Sequence, residues 1–250
     1  MPRYFIELSY KGTNYSGFQV QENAKTIQQE VTEALATIYR QPFQLTGSSR
    51  TDAGVHALQN YFHFDTGLEL RSRELYNLNA LLSPDIVAKA YYKVDDTAHC
   101  RFGAVARQYK YFIYNTKQPF LYDRGWYYPY RIDTALLHEA AEMVLRHTDF
   151  TSFAKRNTQV NNFNCRITES FWSNEGDQLV YQVKANRFLR GMVRALVSSM
   201  LKLARGSMDR AAFRELLEGG RPSAADFSAP PQGLFLVAVV FPEGYLGEVA

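Results

Sequence analysis

The segment "SSRTDAGVHALQN", residues 48–60, contains the residues whose types and spacing best suit chemistry. Arg50 lies two residues before Asp52, and a turn-forming Ala-Gly pair follows the aspartate. An ionised carboxylate in a loop can act as a nucleophile or a base, and a neighbouring guanidinium favours the ionised form. The basic partner is either Arg50 itself or a residue from the second half of the chain, such as Arg190 or Arg194.

The same aspartate also has a purely structural interpretation. An aspartate before Ala-Gly commonly accepts backbone N–H bonds within a turn. Arg50 would then be a surface residue, and His56 a turn or strand-edge residue. Local sequence alone does not decide between the two interpretations.

Basic residues concentrate in two segments. Between Lys184 and Arg221 nine basic residues face three acidic ones, and between His99 and Lys117 there are four basic residues and no acidic ones. Tyrosines interleave with the second segment, and Phe188 lies in the first. Basic groups beside aromatic rings suit phosphate contact and base stacking, although a solvated helix face would give the same composition.

The overall composition is that of an ordinary globular protein. The 250 residues are 46% hydrophobic and 21% charged, with a net charge of +3. There is no apolar run of membrane-spanning length, and the N-terminal residues do not resemble a secretory signal. Cys100 and Cys165 form no paired motif, and the five histidines lack zinc-ligand spacing. We therefore expect a reduced, cytoplasmic protein with no membrane segment and no structural metal.

The first half of the chain alternates strands and helices. Strands are predicted over "YFIELSY", "FQLTGS", "NYFHFDT" and "IVAKAYYKV", and helices over "TIQQEVTEALATIYR" and "SRELYNLNALL". Thr26 is expected to cap the first helix and Ser72 to start the second. The order β-α-β-β-α-β puts the Asp52 loop between the second and third strands.

The second half repeats this order with an added helix. Strands are predicted over "VARQYKYFIYN", "NCRITESFWS", "QLVYQVKAN" and "LFLVAVVF", and helices over "DTALLHEAAEMVLRH", "RFLRGMVRALVSSMLKLARG" and "MDRAAFRELLEGG". Asp133 is expected to cap the first of these helices, and "KQPFLYDRGWYYPYRI" is expected to form a loop. The long helix should bury an apolar stripe of Leu189, Met192, Val193, Leu196, Val197, Met200 and Leu201. The pattern predicts an α+β fold of two ferredoxin-like (RRM-like) halves, forming a mostly antiparallel sheet with helices packed on it and a central cleft. Residues 1-102 would carry the aspartate loop, and residues 103-250 the tyrosine-rich strand and the basic helix.

Several segments together resemble the TruA family of tRNA pseudouridine synthases. "RTDAGVHA" resembles the family signature, and "YKGTNYSGFQVQ" with "TIQQEVTEAL" resembles its first strand, loop and helix. Four further segments match in family order: "HCRFGAVARQYKYFIYN", "DFTSFAK", "FLRGMVRALVSSML" and "APPQGLFLVAVVFP". The matches run from Tyr10 to Pro242. Departures from the family pattern are Lys11, Phe18, Ser49, Cys100 and Ala195.

The resemblance implies roles for residues in these segments. Asp52 would be the nucleophile, Tyr109 would stack on the flipped base and take the C5 proton, and Arg194 would be the partner of the Asp52 carboxylate. Arg50 would insert beside or replace the flipped base. Further tRNA contacts are expected from basic residues near these positions: Arg101, Arg107, Lys110, Arg187 and Arg190. Leu234 and Leu236 would wall the pocket.

The resemblance also implies the substrate and the partners. The enzyme would convert uridine to pseudouridine in the anticodon arm of tRNA, at family positions 38, 39 and 40, with the RNA in the central cleft. The isomerisation exchanges no electrons and adds no group, so no cofactor and no metal are expected. A homodimer is implied as well.

Two other functions remain open on the sequence alone. A non-catalytic RNA-binding module could use the same fold, because ferredoxin-like sheets with exposed aromatic residues often bind RNA. A carboxylate hydrolase acting on a nucleoside or sugar would need a second acidic group nearby, and residues 48–59 offer only Asp52.

Overall fold

The computed structural model describes residues 1–156, 160, 162–247 and 249–250. The chain divides into two compact units. Unit 1 comprises Met1–Ala106 and Phe235–Ala250, and unit 2 comprises Arg107–Leu234. The division follows packing alone, so the expected domains 1-102 and 103-250 stay a prediction.

Unit 1 is built on β-strands that run mostly antiparallel. Its elements are β1 (Arg3–Tyr10), α1 (Ile27–Tyr39), β2 (Thr46–Gly47), β3 (His56–Asp65), α2 (Leu75–Leu81), β4 (Ile86–Val94) and β9 (Leu234–Val240). Strand β1 lies between β3 and β4, with antiparallel pairing on both sides, and β2 pairs antiparallel with β3. The predicted β-α-β-β-α-β order is confirmed, with the Asp52 loop between β2 and β3.

Strand β3 begins earlier than the sequence pattern indicates. The apolar pattern predicts a strand from residue 60, whereas the observed strand starts at His56. Its first two residues pair in parallel with β9, His56 opposite Phe235 and Ala57 opposite Leu236. Ala57 also pairs with Tyr10 of β1, so pairing with two other strands extends β3, and local sequence does not reveal it.

The two helices of unit 1 start in different ways. The Thr26 hydroxyl accepts a hydrogen bond from the backbone N–H of Gln29 at 3.3 Å, so it caps α1 as predicted. Ser72 does not cap α2; its hydroxyl accepts from the backbone N–H of Tyr91 at 3.1 Å. A short 3₁₀ turn, Ser72–Glu74, therefore precedes the helix.

The described residues of unit 2 form four β-strands and three α-helices. Its elements are β5 (Ala106–Tyr114), β6 (Trp126–Tyr127), α3 (Thr134–Leu145), β7 (Ile167–Glu175), β8 (Gln178–Ala185), α4 (Met192–Ala204) and α5 (Arg210–Glu218). Strand β8 pairs antiparallel with both β5 and β7, and β6 pairs in parallel with β5. The sequence predicts a loop where the two-residue strand β6 lies.

Helix α4 begins later than predicted. Gly191 precedes it with a φ of 74°, a left-handed conformation that helical residues do not adopt, so residues 187–191 lie outside the helix. The predicted apolar stripe of the helix is buried as expected: Leu189, Met192, Val193, Leu196, Val197, Met200 and Leu201. Asp133 caps α3 as predicted, accepting from the backbone N–H groups of Ala135 and Leu136.

These elements confirm the α+β class, with mostly antiparallel strands and helices packed on them. Contacts between helix α3 and strand β7, and between helices α3 and α4, bury apolar side chains of unit 2. Among the described residues, no helix combines the length and the hydropathy needed to cross a membrane.

Candidate active site

The Asp52 loop is tied to unit 1 on both sides of the aspartate. The backbone N–H of Ser48 donates to the carbonyl oxygen of Tyr61 at 2.8 Å, and that of Phe18 donates to the carbonyl oxygen of Thr51 at 3.1 Å. After the aspartate, the N–H of Gly54 donates to the carbonyl oxygen of Tyr15 at 3.3 Å. The loop is thus part of the fold, because backbone bonds fix it at several points.

A tight turn carries the carboxylate itself. The N–H of Val55 donates to the carbonyl oxygen of Asp52 at 3.2 Å, and Gly54 has a φ of 76°. A positive φ at the third position of a turn favours glycine, which explains the Ala-Gly sequence after the aspartate. Asp52 is half-buried at this turn, and Arg50 is exposed. The turn is closed through the main-chain carbonyl group of Asp52, and it leaves part of the surface of Asp52 accessible.

A buried asparagine holds the residues before the turn. Asn60 Nδ2 donates to the carbonyl oxygen of Ser49 at 2.8 Å and to the Tyr10 hydroxyl at 3.0 Å. The Tyr10 hydroxyl lies 2.8 Å from the Thr51 hydroxyl. The sequence does not predict Asn60 or Tyr10 as site residues. The signal in the sequence is a single amide within the apolar strand pattern "NYFHF".

The next residues of the loop pack against a neighbouring glycine. His56 is buried, and its Nδ1 accepts from the backbone N–H of Gly12 at 3.0 Å. A Cβ on Gly12 would collide with the carbonyl group of Val55, so only glycine fits here. His56 also lies 4.5 Å from the Phe235 ring, centroid to centroid. These contacts make His56 a structural residue at the start of β3.

Arg101 occupies a different part of unit 1. It is exposed, and its guanidinium carbon lies 5.6 Å from the centre of the Phe102 ring, which is itself 77% exposed. The backbone N–H groups of both residues point to Nδ1 of His99, at 3.1 and 3.4 Å. An exposed cation on an exposed ring is a suitable surface for phosphate and base contacts.

Beside it, His63, His99 and Cys100 form a group whose donor atoms lie within 4.8 Å of one another. Such a set has the ligand types of a soft metal site. However, Nδ1 of His63 accepts from the backbone N–H of Cys100 at 3.3 Å, and Nδ1 of His99 accepts from two backbone N–H groups. Because these lone pairs already serve the fold, we do not assign a metal to this group.

In unit 2, strand β5 carries the predicted tyrosine. Arg107, Tyr109 and Tyr111 lie on one face of the strand, because side chains alternate. Tyr109 is half-buried, and its ring meets Phe188 nearly perpendicularly at 5.1 Å. Arg107 Nη1 donates to the carbonyl oxygen of Asn186 at 3.3 Å. The predicted Lys110 lies on the opposite face of β5 and forms an ion pair with Glu175 at 2.5 Å.

Tyr111 is the buried member of this face. It is fully buried, its hydroxyl donates to the carbonyl oxygen of Pro230 at 2.7 Å, and Gly233 packs directly on its ring. Burial raises the pKa of Tyr111 above its usual range, while the charge of Arg194 opposes this shift. Tyr111 therefore stays neutral and serves as a packing residue on the same face of β5 as Tyr109.

Arg194 is anchored by backbone carbonyl groups. Its Nε donates to the carbonyl oxygen of Ala229 at 2.6 Å, and Nη2 to that of Phe227 at 3.4 Å. The side chain is half-buried at the start of α4. The fixed fork of the guanidinium is thus held in one orientation within unit 2.

The two predicted arginines before α4 are more accessible. Arg190 is exposed, and Arg187 is half-buried with its Nη1 3.5 Å from the Asn162 side-chain oxygen. Within the basic segment, ion pairs neutralise three members: Lys184 with Glu169, Lys202 with Asp226, and Arg210 with Glu139. Part of the segment is therefore a salt-bridged surface.

Comparison with known proteins identifies the family. A family model described as tRNA pseudouridine synthase matches residues 8–103 and 140–242. A tRNA pseudouridine synthase A from Parabacteroides distasonis is 41% identical over 245 residues, covering 97% of each chain. The one from Porphyromonas gingivalis is 41% identical over 247 residues, covering 97% of this chain and 98% of its own. The one from Staphylococcus aureus strain MRSA252 is 34% identical over 247 residues, covering 98% of this chain and 94% of its own. With matches over nearly its whole length, the chain belongs to the TruA family of tRNA pseudouridine synthases.

Proposed function

We propose that this protein isomerises uridine to pseudouridine in the anticodon stem-loop of tRNA, at positions 38, 39 and 40, with Asp52 as the nucleophile. The observation that carries the proposal is the Asp52 turn. The segment that matches the family signature folds into a backbone-anchored loop, and the loop leaves the carboxylate partly accessible.

The reaction needs little beyond a carboxylate and a place to hold the base. The N1–C1′ bond of the uridine breaks, the uracil turns over and a C5–C1′ bond forms, and the proton lost from C5 is balanced by a proton taken up at N1. Electrons and atoms balance within the substrate, so an intramolecular rearrangement results. An unprotonated Asp52 could attack C1′, attack C6 of the base, or remove a sugar proton, and all three routes use the same group.

Residues of both units contribute to this proposal. Tyr109 stacks on the flipped base, since its half-buried ring is steadied by the Phe188 ring at 5.1 Å. Arg194 is assigned as the partner of the Asp52 carboxylate on the family resemblance. Arg50 is exposed near the turn, where it could take the place of the base that leaves the stack.

Positive charge would hold the RNA backbone. We assign phosphate contacts to the remaining predicted residues, whose exposure ranges from partial to full: Arg101, Arg107, Lys110, Arg187 and Arg190. Lys110 is the weakest member, because Glu175 already neutralises it. Affinity for tRNA should fall with added salt as these contacts release counterions.

The finer features expected from the sequence belong to the same proposal. They are two ferredoxin-like halves with a central RNA-binding cleft, a homodimer and a cytoplasmic location. The family resemblance supports each of them. The cytoplasmic location also follows because tRNA is made and used there, and the proposed reaction needs no cofactor.

The test is to map pseudouridine after incubation of the purified protein with unmodified tRNA. Transcripts would carry uridine at 38, 39 or 40 alone, and a control transcript would carry cytidine at all three. Conversion confined to these positions supports the proposal. Tight tRNA binding by a folded protein without any conversion would contradict it and favour a non-catalytic RNA-binding module.

A further inference from the structure

Asn60 uses its whole hydrogen-bonding capacity inside unit 1. It is completely buried, and Oδ1 accepts from the backbone N–H groups of Ser49 at 3.2 Å and Tyr61 at 2.9 Å. Nδ2 donates to the Ser49 carbonyl oxygen and to the Tyr10 hydroxyl. Two donors and two acceptors are the full capacity of an amide, so no other residue type of this size could replace all four bonds.

The bonds of Asn60 reach both neighbours of Arg50. Asn60 forms hydrogen bonds directly with the backbone N–H and carbonyl groups of Ser49. It is linked to Thr51 indirectly, because the Thr51 hydroxyl lies 2.8 Å from the Tyr10 hydroxyl, which accepts a hydrogen bond from Asn60. The amide therefore fixes the chain immediately before Asp52, where small rotations of the backbone would swing the carboxylate.

We propose that Asn60, acting through Ser49 and Tyr10, is a positioning residue for the Asp52 carboxylate. The inference rests on the proposed function, since it assigns Asn60 a role in that reaction. Displacing a reacting group by about 1 Å can lower a rate on the order of 100-fold, so a loosened loop should cost turnover. Asn60 touches neither substrate nor reacting atoms in this role.

The same unit offers a matched control. Asn79 forms a similar clamp, in which one amide side chain bonds both backbone groups of a single residue. Its Nδ2 donates to the carbonyl oxygen of Ala88 at 2.9 Å, and its Oδ1 accepts from the N–H of Ala88 at 2.8 Å. This clamp joins α2 to β4 and involves no residue of the Asp52 loop. Loss of either clamp should destabilise the fold, whereas only loss of the Asn60 clamp should affect catalysis.

The experiment compares Asn60→Asp with Asn79→Asp. Each change keeps side-chain shape and the acceptors but removes the N–H donors, so a carboxylate oxygen faces a backbone carbonyl. The readouts are the single-turnover rate on tRNA, the tRNA dissociation constant and the melting temperature. We expect Asn60→Asp to lower the rate by about 10- to 100-fold with binding within a few fold, and Asn79→Asp to keep the rate.

A second pair of variants, with smaller changes, keeps the inference testable if the asparagine variants do not fold. Tyr10→Phe removes only the hydroxyl between Asn60 and Thr51, and Tyr181→Phe removes a comparable buried hydroxyl, bonded to Ser170 at 2.8 Å in unit 2. Of this pair, only Tyr10→Phe should lower the single-turnover rate, and its loss of rate should be smaller than that of Asn60→Asp.

The outcomes separate this inference from the proposed function. Wild-type rates in Asn60→Asp and Tyr10→Phe, measured against an active wild type, would overturn the positioning role and leave the enzyme assignment intact. Equal rate losses in Asn60→Asp and Asn79→Asp would also overturn it, because a general loss of stability would then explain both. A wild type that converts no uridine would instead contradict the proposed function itself.

Discussion

The Nε of Arg194 donates to the carbonyl oxygen of Ala229 at 2.6 Å, so the start of helix α4 holds the segment that leads into β9. A lysine at this position would have no second donor in a fixed plane to keep both this bond and the one to Phe227. We expect Arg194→Lys to lower turnover by about 10- to 100-fold, because misplacing a group that acts on the reaction by about 1 Å can lower a rate on the order of 100-fold.

The control for this change is Arg210→Lys. Arg210 pairs with Glu139 on the surface of the same unit, and exposed pairs contribute little. Turnover of Arg210→Lys should stay near that of the wild type. Full activity of Arg194→Lys would remove Arg194 from the catalytic set.

Tyr109→Phe separates stacking from proton transfer. The ring that meets Phe188 at 5.1 Å remains, so tRNA binding should stay within a few fold. A slower single-turnover rate, by about 100-fold or more, is expected if the hydroxyl handles the C5 proton. Tyr122→Phe, at a 69% exposed tyrosine, is the control and should leave the rate unchanged. An unchanged rate in Tyr109→Phe would reduce this residue to a stacking platform.

Ser49→Ala should stabilise the protein. Among the described residues, the buried Ser49 hydroxyl has no hydrogen-bond partner, while its backbone bonds to Asn60 do not depend on the side chain. Removing an unsatisfied buried polar group recovers about 1 kcal/mol or more. Chemical denaturation should show a larger free energy of unfolding, with activity retained.

The contrasting variant is Ser198→Ala. Its hydroxyl accepts from the backbone N–H of Ala229 at 2.8 Å, so its removal leaves a buried donor without a partner. This variant should lose about 1 kcal/mol of unfolding free energy. If both serine variants shift stability in the same direction, hydroxyl satisfaction is not the cause.

The lowered pKa of His63 predicts that the free energy of unfolding depends on pH. Burial, followed by the positive charges of His99 and Arg3, lowers the pKa of His63 to about 4. Between pH 6.5 and 4 the unfolded chain therefore binds a proton that the folded protein does not, and the free energy of unfolding falls as pH falls, by up to about 1.4 kcal/mol per pH unit.

The measurement is urea denaturation of wild type and His63→Gln at pH 7 and pH 5. The difference between the two pH values should shrink in His63→Gln, since glutamine does not titrate. His138→Gln, at an exposed histidine of α3, is the control and should keep the wild-type difference. An equal difference in all three proteins would contradict the assignment to His63.

The sequence predicts features that depend on local chemistry. Thr26 and Asp133 cap their helices because a side-chain oxygen reaches a backbone N–H two or three residues away. The turn at Gly54 follows in the same way from glycine's tolerance of positive φ. Such features need no knowledge of distant segments.

Features that depend on tertiary contacts are not predicted. Ser72 has the sequence context of a helix cap, but Tyr91 of a neighbouring strand takes its hydroxyl. In the sequence, nothing distinguishes Asn60 from other polar strand residues, because its hydrogen bonds to Ser49 and Tyr10 form only in the folded chain. The early start of β3 depends likewise on β9, which lies far along the chain.

The central claim is that the Asp52 carboxylate is required for isomerisation, and tritium release from [5-³H]uridine-labelled tRNA tests it most directly. Wild type, Asp52→Asn and Asp95→Asn would be compared under single-turnover conditions, with tRNA binding measured in parallel. Asp95 is the matched control, because it is an exposed turn aspartate that accepts from the N–H of Thr97 at 2.8 Å. We predict release by wild type and Asp95→Asn and none by Asp52→Asn, with all three binding tRNA within a few fold. Release by Asp52→Asn at the wild-type rate would contradict the claim and leave Asp52 a turn residue only.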